Sequence, residues 1–136
     1  MTKTIFISLP VADLAASTAF YEALGFRKNP QMSDGTGACM AWSDAIQVML
    51  ISHARWRTFT QRHFPPAGTS SHMLSLALES REAVDAMNRA AAANGGQADA
   101  NPPEDSGFMY SRDLADPDGH LWATFWMDPA AAPGNG

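Results

Sequence analysis

The chain has 136 residues, of which 46% are hydrophobic and 17% charged, with a net charge of −5 and a single cysteine. That length suits one domain with a core of ordinary size, and the acidic balance argues against nucleic acid or an anionic membrane as the main partner. One cysteine excludes an intramolecular disulfide and a four-cysteine zinc site.

No window approaches a membrane span, and the apolar run entered from Met1 is cut by Pro10 before it reaches the length of a signal segment. A cytoplasmic setting is therefore expected. Residues 5–11 form a strand, with Pro10 near its end where a missing N–H is tolerated. Asp13 caps a helix over 14–24, in which Leu14, Thr18, Tyr21 and Leu24 fall on one stripe, and Gly25 stops it in the left-handed conformation. A short strand is expected over 26–32, a turn over 33–37, and a hairpin pairing 38–42 with 47–52. The order is β-α-β-β-β.

Residues 53–71 connect to a second half. Trp56, Phe59 and His63 have helical spacing, so a short amphipathic helix is expected, followed by a linker from Pro65 to Ser71. The second half repeats the order of the first. A strand over 73–78 precedes a helix over 81–94 capped by Ser80, with Val84, Met87 and Ala91 as its stripe and Gly95-Gly96 closing it. A short strand at 97–100, a Pro-rich loop at 101–107, and strands over 108–112 and 121–127 complete the unit. Between the last two strands, Asp116-Pro117-Asp118-Gly119 is turn chemistry: Pro pre-sets φ and Gly accepts φ > 0. The segment 129–136 has no periodic pattern and is expected to be a flexible tail.

The expected fold class is thus α+β: two βαβββ modules, about 4–52 and about 72–128, forming a cupped mixed sheet with helices on the outside, within one domain over 1–128. These two modules, the entry Leu9-Pro10-Val11-Ala12-Asp13-Leu14, the helix end Phe20-Tyr21-Glu22-Ala23-Leu24-Gly25-Phe26, and Asp116-Pro117-Asp118-Gly119-His120 together resemble the vicinal oxygen chelate superfamily. That superfamily includes glyoxalase I, bleomycin-resistance proteins, fosfomycin-resistance enzymes and extradiol dioxygenases, and the resemblance spans about residues 4–128.

The resemblance implies a homodimer and, in enzymatic members, one divalent metal held by His or Glu on the concave face. Registered on the flanking motifs, the four ligand positions fall on Phe6, Met49, Met73 and Ala123. Phe and Ala cannot coordinate, and a Met thioether is soft and suits Cu(I) rather than Mg, Mn, Ni, Zn or Fe. No metal and no other cofactor is therefore expected. The rival is a site displaced around His72 and His120, but a one-residue slip to reach His72 would turn the whole strand over.

Strand alternation aims Phe6, Ser8, Met49, Ile51, Met73, Ser75, Ala123 and Phe125 into the cup, with Trp42, Phe108 and Tyr110 as candidates to join them. Two readings stand: a closed core, or an apolar pocket oriented by a few hydroxyls. Trp56 and Phe59 lid that pocket or bury against a second subunit, the latter preferred. Cys39 is expected to be an inert buried thiol and Glu104-Asp105 solvated carboxylates; Arg112 either meets an anionic ligand or makes a surface salt bridge.

The functional expectation is a metal-independent protein that sequesters a small apolar or aromatic compound, in the mode of the bleomycin-resistance branch. No catalytic residue is assigned. Its ligand-binding residues would be Phe6, Ser8, Trp42, Met49, Met73, Ser75, Tyr110 and Ala123. The alternatives are a metal-dependent glyoxalase-type lyase or dioxygenase with its metal near His72, and a scaffold whose dimer surface matters more than any pocket.

Overall fold

The computed structural model describes residues 2–131 and is α+β, with two mixed sheets and three α-helices among the described residues. The chain divides into two compact units, Met1–Ala67 and Gly68–Gly136. No helix is long and apolar enough to cross a membrane. Pro129–Ala131 form one 3-10 turn, and the rest of the expected flexible tail, 132–136, lies outside the described residues.

In the first unit, β1 (Ile5–Val11) leads to α1 (Leu14–Ala23), β2 (Arg27–Asn29), β3 (Gly37–Ala41), β4 (Ile46–Ser52) and α2 (His53–Phe59). The sheet order is β1-β4-β3-β2, with β1 parallel to β4 and the other pairs antiparallel. Asp13 caps α1 by accepting from the Ala16 N–H, and Gly25 follows the helix at φ +106°, a conformation that side chains rarely adopt. Alternation sends Leu9, Val11, Ala38, Met40, Val48 and Leu50 to one face, all at most 2% exposed. α1 covers that face with Ser17, Phe20 and Tyr21. Tyr21 meets both Phe20 and Phe26 edge-on, at 5.1 and 5.3 Å between ring centroids.

Two expectations are corrected here. The strand expected over 26–32 ends at Asn29, because Pro30 opens a 3-10 turn whose Gln31 N–H is capped by the Asn29 side chain. The connecting helix ends at Phe59, with Thr60 already extended, so His63 lies beyond it.

In the second unit, β5 (Leu74–Ala77) leads to α3 (Arg81–Ala93), β6 (Gln97–Ala98), β7 (Glu104–Asp105), β8 (Met109–Ala115) and β9 (Leu121–Met127). The order is β5-β9-β8-β6, with β5 parallel to β9 and β7 also pairing with β8. β8 runs three residues past its expected end because Asp116 holds the turn: its Oδ1 accepts from the N–H of Asp118 and of His120, while Gly119 sits at φ +88°. α3 packs Val84, Met87, Asn88 and Ala91 against the sheet face that carries Leu76, Leu114, Trp122 and Thr124.

Candidate ligand-binding faces

α1 covers one face of the first sheet and α3 one face of the second; the opposite, helix-free face of each carries neither of these two helices. In the first unit the register groups Phe6, Ser8, Gln47, Met49, Ile51 and Cys39 on the helix-free side. The side is graded. Cys39 and Ile51 are buried, Gln47 and Met49 half-buried, Ser8 exposed, and Phe6 48% exposed. The Cys39 Sγ donates to the Gln47 Oε1 at 3.3 Å, and burial pushes its thiol pKa up, which disfavours the thiolate a nucleophile needs.

In the second unit the helix-free face carries Ser75 and Ala77 of β5, Ala123 and Phe125 of β9, and Ser111 and Asp113 of β8. Met73 lies just ahead of β5 and is 46% exposed.

Trp42 and Tyr110 do not join these residues. β3 is phased by Ala38 and Met40 beneath α1; Trp42, two residues past Met40, follows them and packs on Phe26 with ring centroids 5.0 Å apart. Tyr110 alternates with Ser111 and shares the α3 side with Arg112; its hydroxyl donates to the Asp85 carboxylate of α3 at 2.7 Å. Phe108 precedes β8 and is 43% exposed.

Arg112 likewise faces α3 and is committed there. Its guanidinium forks onto Asp99, with Nε and Nη2 each 2.9 Å from a carboxylate oxygen, and Nη1 reaches Asp85 at 2.9 Å. With its own side chain 18% exposed and its partners 37% and 36% exposed, it makes the salt bridge of the second alternative at the edge of solvent, engaged on both sides as a strut. Arg81 makes a second fork onto Asp105 and lies over the rings of Tyr110 and Trp126 at 5.0 and 5.1 Å, so Asp105 is not a free solvated carboxylate. The Arg81 guanidinium holds the Asp105 carboxyl down at about 2; the Tyr110 hydroxyl and then Arg112 lower Asp85, and Arg112 lowers Asp99.

Carboxylates depressed in the folded state contribute stability above the unfolded pKa of about 3.9 and lose it as pH falls through the folded values. Urea midpoints are therefore expected to hold steady down to about pH 5 and to fall between about pH 4 and pH 2. Asp105→Asn should flatten the lower part of that fall, and an unchanged profile in that variant would remove Asp105 from the account.

Sequence reasoning also missed a buried polar chain. Asn88 Nδ2 donates to the Val84 carbonyl and to the Thr124 hydroxyl, which in turn donates to the Arg112 carbonyl at 2.8 Å. An asparagine four residues after Val84, inside an apolar helical stripe, was the available signal.

A family model described as the glyoxalase/bleomycin resistance protein/dioxygenase superfamily matches residues 4–124. Among solved structures, a hypothetical protein from S. aureus is 28% identical with a TM-score of 0.77, the alignment covering 93% of this chain and 95% of that one. A glyoxalase/bleomycin resistance protein from Albidiferax ferrireducens T118 is 26% identical with a TM-score of 0.67, covering 89% and 95%. A family enzyme from Burkholderia phytofirmans PsJN shares the fold at 18% identity and a TM-score of 0.76, covering 90% and 96%. No curated protein matches. With the model spanning most of the sequence, the chain belongs to the glyoxalase/bleomycin resistance protein/dioxygenase superfamily.

The four residues that the resemblance places at the ligand positions do not fit a divalent metal. Phe6 and Ala123 carry no donor atom, and Met49 and Met73 offer only thioethers. Among the described residues, no three His, Cys, Asp or Glu side chains are grouped so that they could hold an ion. His72, the anchor of the displaced-site alternative, is exposed, and its Nδ1 lies 3.2 Å from the Ser71 hydroxyl.

Proposed function

We propose that this chain binds a small apolar or aromatic compound without a metal, on the helix-free faces of its sheets. The observation that carries the reading is the row of exposed or half-buried apolar side chains beside hydroxyls, Phe6 and Met49 next to Ser8 in particular. Burying such side chains against a ligand is favourable at about 25 cal/mol per Å² of apolar area, and Met adapts to the ligand's shape. The hydroxyls of Ser8 and Ser75 supply orientation. Self-association into a homodimer belongs to the same reading, supported by Phe59 of α2 at 57% exposure, and sedimentation of the purified chain tests it. A cytoplasmic setting suits an acidic chain with one cysteine.

The experiment has two arms. Metal analysis of untagged protein should return far less than one ion per chain, and Mn, Ni, Zn, Fe or Mg should leave the melting temperature in place. A stoichiometric ion would sink the metal-free reading. A screen of apolar and aromatic compounds should find ligands that raise the melting temperature, and Met49→Ala with Met73→Ala should weaken them more than it weakens folding. If the double variant loses stability and no compound ever binds, these faces are packing surfaces only.

A further inference from the structure

The helix-free face of the second unit carries a carboxylate that the structural network does not use. Asp85, Asp99 and Asp105 are each held by an arginine. Asp113 is not. It stands on β8 one residue from Arg112, so alternation turns it away from α3. Its Oδ2 accepts from Asn101 Nδ2 at 2.9 Å, and among the described residues no Lys, Arg or His joins it. A half-buried carboxylate with one neutral partner retains acceptor capacity and is best satisfied by a charged donor.

Its surroundings say what kind of donor. Asp113 pairs across the sheet with Ala123, and Ala123 with Ser75, so a carboxylate, a methyl and a hydroxyl lie in one row on three adjacent strands. Strand spacing makes that row about 10 Å wide. Ala123, between the two polar groups, is the smallest side chain of the row and is 9% exposed. Phe125 lies on the same face, two residues along β9, and adds an aromatic wall beside it.

We infer that this face recognises an apolar or aromatic compound bearing a protonated amine, with Asp113 as the counter-ion, Asn101 as its positioning residue, and Ser75 as a second hydrogen-bonding group. The inference rests on the small-molecule reading above and narrows it to amines.

Three probes of similar shape separate the possibilities: 2-phenylethylamine, 2-phenylethanol and 3-phenylpropionate, titrated against the full chain by calorimetry and by thermal melting. The amine should bind tightest and the propionate weakest. Asp113→Asn, which keeps an acceptor for Asn101, should cost the amine roughly tenfold or more while leaving the alcohol unchanged. Ala123→Leu, which puts a larger side chain between Asp113 and Ser75 from a different strand, should weaken all three probes.

An alcohol or propionate binding as tightly as the amine would overturn the inference and leave the small-molecule reading intact. So would an amine preference that survives Asp113→Asn. Silence from all three probes, together with silence across a wider apolar library, would overturn both.

Discussion

Replacing Arg112 with methionine is expected to cost about 2–3 kcal/mol of stability, a large part of the total for a domain of this size. The guanidinium joins α3, through Asp85, to Asp99 just after β6, and it does so from the middle of β8. Methionine keeps the stem and removes every donor. Two aspartates and the Tyr110 hydroxyl then lose the cation that bridges them, with Arg81 over the Tyr110 ring left nearby. A fully buried pair broken this way costs about 3–5 kcal/mol; Asp85 and Asp99 are 37% and 36% exposed, so water recovers part of the loss. The check is urea denaturation near pH 7, where the midpoint should drop with the slope unchanged. Asp99→Asn should be far milder, since Asp85 remains on Arg112 and asparagine accepts the left-handed φ of +51° found there. A midpoint for Arg112→Met equal to the wild type would mean that the fork is ornamental. The same strut lies beneath Asp113, so its loss is also expected to loosen the carboxylate on the opposite face.

Element order was legible because each boundary has a local chemical cause. Asp13 and Ser80 cap the helices that follow them, Gly25 ends one, and the Asp116 turn starts β9 at Leu121, where the pattern places it. The face assignments of β1, β4 and β9 followed from period-two alternation alone. Assignment failed where phase depended on a tertiary partner. Trp42 and Tyr110 sit at strand ends, where the apolar pattern does not say which side the helix takes; the Trp42 ring packs on Phe26 and the Tyr110 hydroxyl donates to Asp85. The Arg112–Asp85–Asp99 cluster was invisible for a related reason: its members are 13 and 27 residues apart, and no local periodicity joins them. Asp113 went unremarked because, in sequence, it is one more charge beside an arginine. Only the register, which places it next to Ala123, sets it apart.

The helix-free face of the first unit is either a binding surface or hidden core, and two phenylalanines decide between them. Phe20 is fully buried beneath the sheet of β1, β3 and β4, with its ring edge-on to Tyr21. Phe20→Ala removes most of a side chain that cannot be replaced by water, and the expected loss is about 3–5 kcal/mol. Phe6 lies on the other side of the same sheet at 48% exposure, so Phe6→Ala is expected to cost less than about 1 kcal/mol. Both are measured by urea midpoint at one pH, with circular dichroism confirming that each variant still folds in the absence of urea. The contrast carries the argument, because the two substitutions delete the same atoms from opposite faces of one sheet. If Phe6→Ala proves as costly as Phe20→Ala, the helix-free face is a packing surface in solution and no ligand has room there. If it is nearly neutral for folding while weakening every compound that stabilises the wild type, the exposed ring is held in place for a partner.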